Sequence, residues 1–249
     1  MPVLSTDALT WRVGGVPIVD NVTIELREGE FLGVIGPNGA GKTSLFNLLS
    51  GLRPATSGRV HLRGEDITKL SPHQRARRGL GRTFQSSSVF GSLSVRDNVR
   101  LAVQARIGGS AQIWRRSTAY DEVVVKADAC LATVGLLSRA DAAAKALSHG
   151  EKRTLEIALL LAAEPAVMLL DEPMAGVASA DVPGLVEVIR RVVAEGGRSV
   201  LMVEHHMDVI LGLADRLAVM HHGALLAAGT PADVMANAAV QEAYLGEAL

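Results

Sequence analysis

The run Gly36-Pro37-Asn38-Gly39-Ala40-Gly41-Lys42-Thr43 fits the spacing G-x-x-x-x-G-K-[ST], which has a specific chemical use. Glycines at 36, 39 and 41 let the backbone curl until successive N–H groups converge on phosphate oxygens. A helix that begins near Lys42 aims the positive end of its dipole at the same anion. Lys42 adds a full charge toward the β- and γ-phosphates of a nucleotide, and the Thr43 hydroxyl is offered to Mg2+. Residues Gly36 to Ser44 together form the expected phosphate-binding stretch.

A second run carries carboxylate chemistry. In Val167-Met168-Leu169-Leu170-Asp171-Glu172, four apolar residues precede two acids. That is a buried strand with its carboxylates at the C-terminal end, where open α/β sheets bind ligands. Asp171 can hold Mg2+ directly or through water, and Glu172 can polarise an attacking water as a general base.

These residues need an α/β frame. Val22, Ile24 and Leu26 alternate with polar residues at the period of a half-buried strand. Phe31 to Ile35 is a short apolar run suited to a buried strand, and Lys42 to Leu49 has helical character. Val95, Val99 and Val103, and later Leu131 and Val134, recur at helical spacing, with Gly108-Gly109-Ser110 as a loop between. Alternation of strand and helix returns after that, through strands at 167–170 and 199–203, helices at 182–194 and 207–214, and a hairpin around His221-His222-Gly223. Thr230-Pro231 reads as a helix start, with threonine as N-cap. The basic segment His73 to Arg78 reads as a solvated helix face ahead of an anion site.

Composition narrows the partners. The chain has 249 residues and a formal net charge of −1, from 25 Lys+Arg against 26 Asp+Glu. That balance argues against binding nucleic acid or anionic lipid through bulk charge. With 48% hydrophobic and 20% charged residues, disorder is excluded. The single cysteine, Cys130, forms no intrachain disulfide and fits a reducing compartment. Mean hydropathy is +0.25, yet the longest apolar stretch, Leu155 to Leu170, is broken by Glu156, Glu164 and Pro165. No membrane span is expected. The N-terminus lacks a basic and apolar leader, so secretion is not expected. His205-His206 and His221-His222 invite a metal reading, but neighbours on a strand point to opposite faces and pair poorly as ligands.

Leu147-Ser148-His149-Gly150-Glu151 precedes a further helical run, with Ser148 and Glu151 spaced as a capping box. One nucleotide has no use for a second anion-binding helix start unless that start serves a nucleotide held by another copy. Here the chain resembles the ATP-binding-cassette (ABC) family over nearly its whole length. Leu147 to Glu151 looks like the family signature, usually LSGGQ, with His149 and Glu151 as replacements similar to those in importers of branched-chain and other hydrophobic amino acids. Gln85 falls at the Q-loop, Ala178 to Asp181 at the D-loop, and His205, after Glu204, at the switch histidine.

The resemblance implies an α/β P-loop NTPase (RecA-like) core with an antiparallel β subdomain and a helical subdomain. It implies one ABC ATPase domain over 1–249, with 1–85 and 161–249 as the core and 86–160 as the helical part ending in the signature. It further implies ATP and Mg2+ as ligands, and two cassettes (same or homologous chains) meeting head to tail. Ser148 and Gly150 of one would hold the γ-phosphate bound to Lys42 of the other. His205 would contact that phosphate, Gln85 would sense Mg2+ and water, and Glu172 would activate water. Closure would drive integral-membrane permease subunits at the cytoplasmic face of the cell membrane, fed indirectly by a substrate-binding protein. The resemblance departs at the adenine: the family's stacking aromatic is replaced by Val13, with Trp11 two residues back on the same strand face as the substitute. Two other classes compete. A DNA- or ribosome-directed ABC ATPase would usually bring two cassettes, a coiled coil or zinc cysteines, and a small-molecule P-loop kinase would leave Ser148 without a job. A guanine-reading reading of Val125 to Asp128 lacks its asparagine.

Overall fold

The computed structural model describes residues 1–83, 89–107 and 117–245. In chain order the elements are strands β1 (Pro2–Val13), β2 (Val16–Val22), β3 (Glu25–Arg27) and β4 (Phe31–Ile35), then helix α1 (Lys42–Leu49). Strands β5 (Ser57–Leu62) and β6 (Glu65–Asp66), helix α2 (Pro72–Arg77) and strand β7 (Leu80–Arg82) follow. Helices α3 (Val95–Ile107), α4 (Ser117–Val134) and α5 (His149–Ala162) lead to β8 (Val167–Asp171), α6 (Val182–Gly196), β9 (Ser199–Val203) and α7 (Met207–Leu213). Strands β10 (Arg216–His221) and β11 (Ala224–Gly229) and helices α8 (Pro231–Met235) and α9 (Ala238–Leu245) complete the described chain. These elements divide into two units, one of residues 1–82, 166–172 and 197–249 and one of 83–165 and 173–196.

The first unit holds every described strand. Its larger sheet runs β11-β10-β4-β9-β8-β7. The pairs from β10 through β4, β9 and β8 to β7 are parallel, and β11 is antiparallel to β10. Strands β4, β8 and β9 are buried at every residue, as sheets covered on both faces require, which explains their unbroken apolar runs. A parallel sheet also puts the C-terminal ends of β4 and β8 at one edge, and these ends carry the glycine loop and Asp171. The smaller sheet runs β2-β1-β5-β6, with β3 also pairing to β1.

The alternating Val22, Ile24 and Leu26 are all buried as their period requires, but they do not lie on one strand. Asn21 takes a positive φ of 53° and the chain leaves β2 after Val22. Thr6 bridges the break, its Oγ1 donating to the Val22 carbonyl (2.9 Å) and accepting from Ile24 N–H (3.0 Å). A buried hydroxyl thus satisfies the backbone where the ladder lapses.

The second unit is helical. Val95, Val99 and Val103 of α3 and Ala127, Leu131 and Val134 of α4 are no more than 3% exposed, and α3, α4 and α5 pack on one another. Arg96 joins α3 to Asp128 of α4 (2.7 Å) and also pairs with Asp141. Helix α6 belongs with this unit: it packs on α4 and α5, and Arg191 donates to the Thr133 carbonyl (3.4 Å). The helical unit therefore extends beyond the 86–160 expected from sequence, because α6 spends its apolar stripe on other helices. Among the described residues, no helix is long and apolar enough to cross a membrane.

Candidate functional site

Helix α1 begins at Gly41, whose φ of 95° is left-handed and whose position lacks a side-chain cap. A Cβ at Gly41 would sit 2.6 Å from the Ile18 carbonyl oxygen, so only glycine fits. The loop before it is tied to distant chain: Gly223 N–H donates to the Ala40 carbonyl (3.1 Å), and Asp20 N–H donates to the Gly223 carbonyl (2.8 Å). Lys42 is 5% exposed, and its Nζ donates to the carbonyls of Gly36 (2.6 Å) and Pro37 (2.8 Å). A cavity of about 240 Å3 is lined by Ile18, Asn38 to Ser44, Glu172 and His205. Most of the expected phosphate-binding residues thus meet in one concavity, together with the acid and the histidine.

Asp171 is 2% exposed and accepts from Arg82 Nη2 at 2.7 Å. Burial raises its pKa, and the adjacent Glu172 charge adds to that, while Arg82 pulls it back down. Arg82 also donates to Asn47 Oδ1 (2.9 Å) and Ser50 Oγ (2.7 Å), and its guanidinium lies 5.8 Å from the centre of the Phe46 ring. Sequence reading missed this partnership, since nothing in local spacing links Arg82 to an acid so far along the chain. Glu172 N–H continues the ladder to the Val203 carbonyl (2.9 Å), and the residue then turns into the left-handed region at φ 47°. A non-glycine residue there costs about 1 kcal/mol or more. The turn delivers Glu172 Oε1 to 2.9 Å from His205 Nε2. Glu204, 3% exposed, receives His205 N–H at 2.8 Å on its carboxylate and so fixes the backbone that presents the histidine. A carboxylate held against an imidazole beside a phosphate-sized cradle can take a proton from water.

The basic segment gives a correction. Arg77 and Arg78 are exposed, as a solvated face predicts, but Arg75 is 2% exposed. Its Nη1 donates to the Leu48 and Leu49 carbonyls (2.7 and 2.6 Å), its Nη2 to Thr68 (2.7 Å) and its Nε to Leu70 (3.1 Å). It caps the C-terminal end of α1, where a cation complements the dipole. Burial lowers its pKa to about 10.

In the helical unit, Ser148 is the N-cap of α5, with Oγ accepting from Glu151 N–H (3.1 Å) and Glu151 Oε2 accepting from Ser148 N–H (2.8 Å). Gly150 lies so close to Asp181 that an added Cβ would be 3.0 Å from the aspartate Cβ. The signature and D-loop segments therefore touch. Gln85 lies outside the described residues. Trp11 packs against the core, and Val13 is 52% exposed near the end of β1; neither lines the cavity. Among the described residues no cluster of metal-binding side chains occurs. Val125 to Asp128 is helical, with Lys126 paired to Glu122 (3.5 Å) and Glu164 (3.7 Å).

Comparison with known proteins agrees with this geometry. The family model described as ABC transporter matches residues 19–175, and one described as branched-chain amino acid ATP-binding cassette transporter matches 224–249. The high-affinity branched-chain amino acid transport ATP-binding protein LivG of Salmonella typhimurium is 37% identical over 99% of both chains. BraF of Pseudomonas aeruginosa, of the same description, is 35% identical over 99% of both. A crystal structure of the ADP conformation of an ATP-binding cassette of an ABC transporter superposes with a TM-score of 0.85 at 29% identity, covering 99% of this chain and 100% of that one. With its phosphate loop, its Glu172–His205 contact and its capped signature helix, this chain belongs to the ABC transporter family as one of its nucleotide-binding ATPases.

Proposed function

We propose that this ABC ATPase powers uptake of branched-chain or related amino acids through separate membrane permeases. The observation that carries the hydrolytic part is the shared lining of one cavity by Lys42, Thr43, Glu172 and His205. Full-length likeness to LivG and BraF, and the C-terminal match over 224–249, support the cargo.

In this reading Gly36 to Ser44 wrap the phosphates of ATP, and Lys42 turns from its carbonyl partners toward the β- and γ-phosphates. Glu172 takes a proton from water as that water attacks the γ-phosphorus. The bond to the β–γ bridging oxygen breaks, and ADP and phosphate leave. His205 holds the Glu172 carboxylate in place and reaches the γ-phosphate, while Gln85 monitors the attacking water. Ser148 and Gly150 of a second copy, or of a related ATPase, close over the same phosphate. The Thr43 hydroxyl and Asp171 carboxylate are hard oxygen donors that suit Mg2+. Asp171, whose Oδ2 accepts from Arg82, would hold the ion together with Thr43, directly or through water. When bound, Mg2+ supplies neutralisation of developing phosphate charge.

A second cavity, of about 510 Å3, is lined by Val89, Gly91, Lys145, His149 and Lys152 among others. Two of these residues, Val89 and Gly91, follow Gln85 closely in the chain, and in this reading the permease sits on this face at the cytoplasmic side of the membrane. Two measurements test the reading. Glu172→Gln lowers ATP turnover by about 100-fold or more while nucleotide binding persists. In vesicles holding the permeases, a binding protein loaded with leucine, isoleucine or valine stimulates turnover. Stimulation by DNA or ribosomes in its place would refute the transport assignment.

A further inference from the structure

Asp171 ends β8, and its side chain is closed off from solvent. A carboxylate taken out of water needs a charged partner, and Asp171 finds one on the neighbouring edge strand, β7. Arg82 is in register with Leu169 across the β7–β8 pair, two residues short of Asp171, so its side chain reaches along the sheet to the acid. One guanidinium nitrogen, Nη2, donates to Asp171 Oδ2 at 2.7 Å. The other, Nη1, turns to helix α1 and donates to Asn47 Oδ1 (2.9 Å) and Ser50 Oγ (2.7 Å). The Ser50 hydroxyl spends its own proton on the Phe46 carbonyl (2.8 Å), which leaves its oxygen to accept. Asn47 stands four residues after Thr43, and so one turn along the same face of α1. A single planar fork thus ties the end of β8 to the helix that carries Thr43.

We infer that Arg82 is a positioning residue for the metal donors of the nucleotide site. It sets the Asp171 carboxylate against α1 before any ion arrives, so that Asp171 and the Thr43 hydroxyl present their oxygens together. A lysine would bring the same charge on one nitrogen, without the fork that spans strand and helix. The inference rests on the Mg2+ reading of Thr43 and Asp171 given above, and is independent of the cargo.

The test uses the full chain and substitutions that conserve charge, so that position alone changes. Arg82→Lys exchanges the fork for a point charge. Asn47→Ala removes one helix anchor at a half-buried position where alanine suits a helix, so it decides alone should Arg82→Lys fail to fold. Mn2+ is the probe, and its binding to the ADP-loaded chain is read by electron paramagnetic resonance. Its Kd is expected to rise about tenfold or more in Arg82→Lys and about three- to fivefold in Asn47→Ala. ADP affinity in EDTA stays within about twofold of wild type in both, and the Mg2+ concentration for half-maximal turnover rises while kcat at saturating Mg2+ stays within about threefold. An Mn2+ Kd within about 1.5-fold of wild type in either folded variant overturns the inference. So does ADP affinity in EDTA that falls in step with Mn2+ affinity, which would mark a general slackening of the phosphate loop. A lowered melting temperature with Mn2+ binding intact also overturns it, as a packing role alone. If the ADP complex of the wild-type chain takes up no Mn2+, the Mg2+ reading itself is overturned, so the two fail by different results.

Discussion

Helix α1 starts at a left-handed glycine with no side-chain cap, whereas α5 starts at a serine whose hydroxyl accepts from Glu151 N–H. The two starts carry the two halves of the proposed phosphate chemistry, and they are held in opposite ways. Around α1, contacts come from far along the chain: Ile18, Met220 and Gly223 wall the loop, and Arg75 caps the other end. The two hydrogen bonds of the Ser148 cap itself are local, within four residues, and exposed. No side chain competes for the first-turn donors of α1, so an anion can take them at once. At α5 a capping box must yield part of its bonding before a phosphate is received. In the proposed pairing, the first site is therefore built on folding, and the second engages only when a partner's nucleotide arrives.

Breaking the long-range support has the largest effect. Gly36→Ala forces a Cβ onto the Met220 carbonyl at a φ of 149°. We expect a loss of about 3–5 kcal/mol in denaturant unfolding, together with nucleotide binding. Arg75→Ala comes next. It strips four carbonyls of their shared donor and costs about 2–4 kcal/mol by the same measurement. Ser148→Ala has the smallest effect on the fold, about 1 kcal/mol for a lost cap. It sharpens the comparison, because nucleotide affinity of the isolated chain holds while turnover of the paired ATPase falls at least tenfold. If Ser148→Ala weakened nucleotide binding by the isolated chain, the division between a preformed and an on-demand site would fail.

Much of the site was legible because its physics is local. The glycine spacing before Lys42, the acids that end β8, the Ser148 and Glu151 capping box and the Thr230-Pro231 start are each contained in a few residues, and all are found at the expected elements. What escaped was the set of contacts that tertiary packing alone creates. Arg75 has the composition of a solvated face and becomes visible as a cap only when α2 is laid beside α1. Arg82 meets Asp171 because β7 and β8 are neighbours in a parallel sheet, with Arg82 in register with Leu169. The break between β2 and β3 escaped for a related reason: apolar alternation ran straight through it, and the hydroxyl that repairs it belongs to β1.

The left-handed backbone at Glu172 sets stability and activity against one another at a single residue. Glycine would relax that turn and firm up the fold, yet it would remove the proposed proton acceptor. If Glu172 is the base proposed above, a screen for heat tolerance alone would favour a sturdier, idle enzyme at this position, the acid marking where the chain accepts a weaker fold in exchange for turnover.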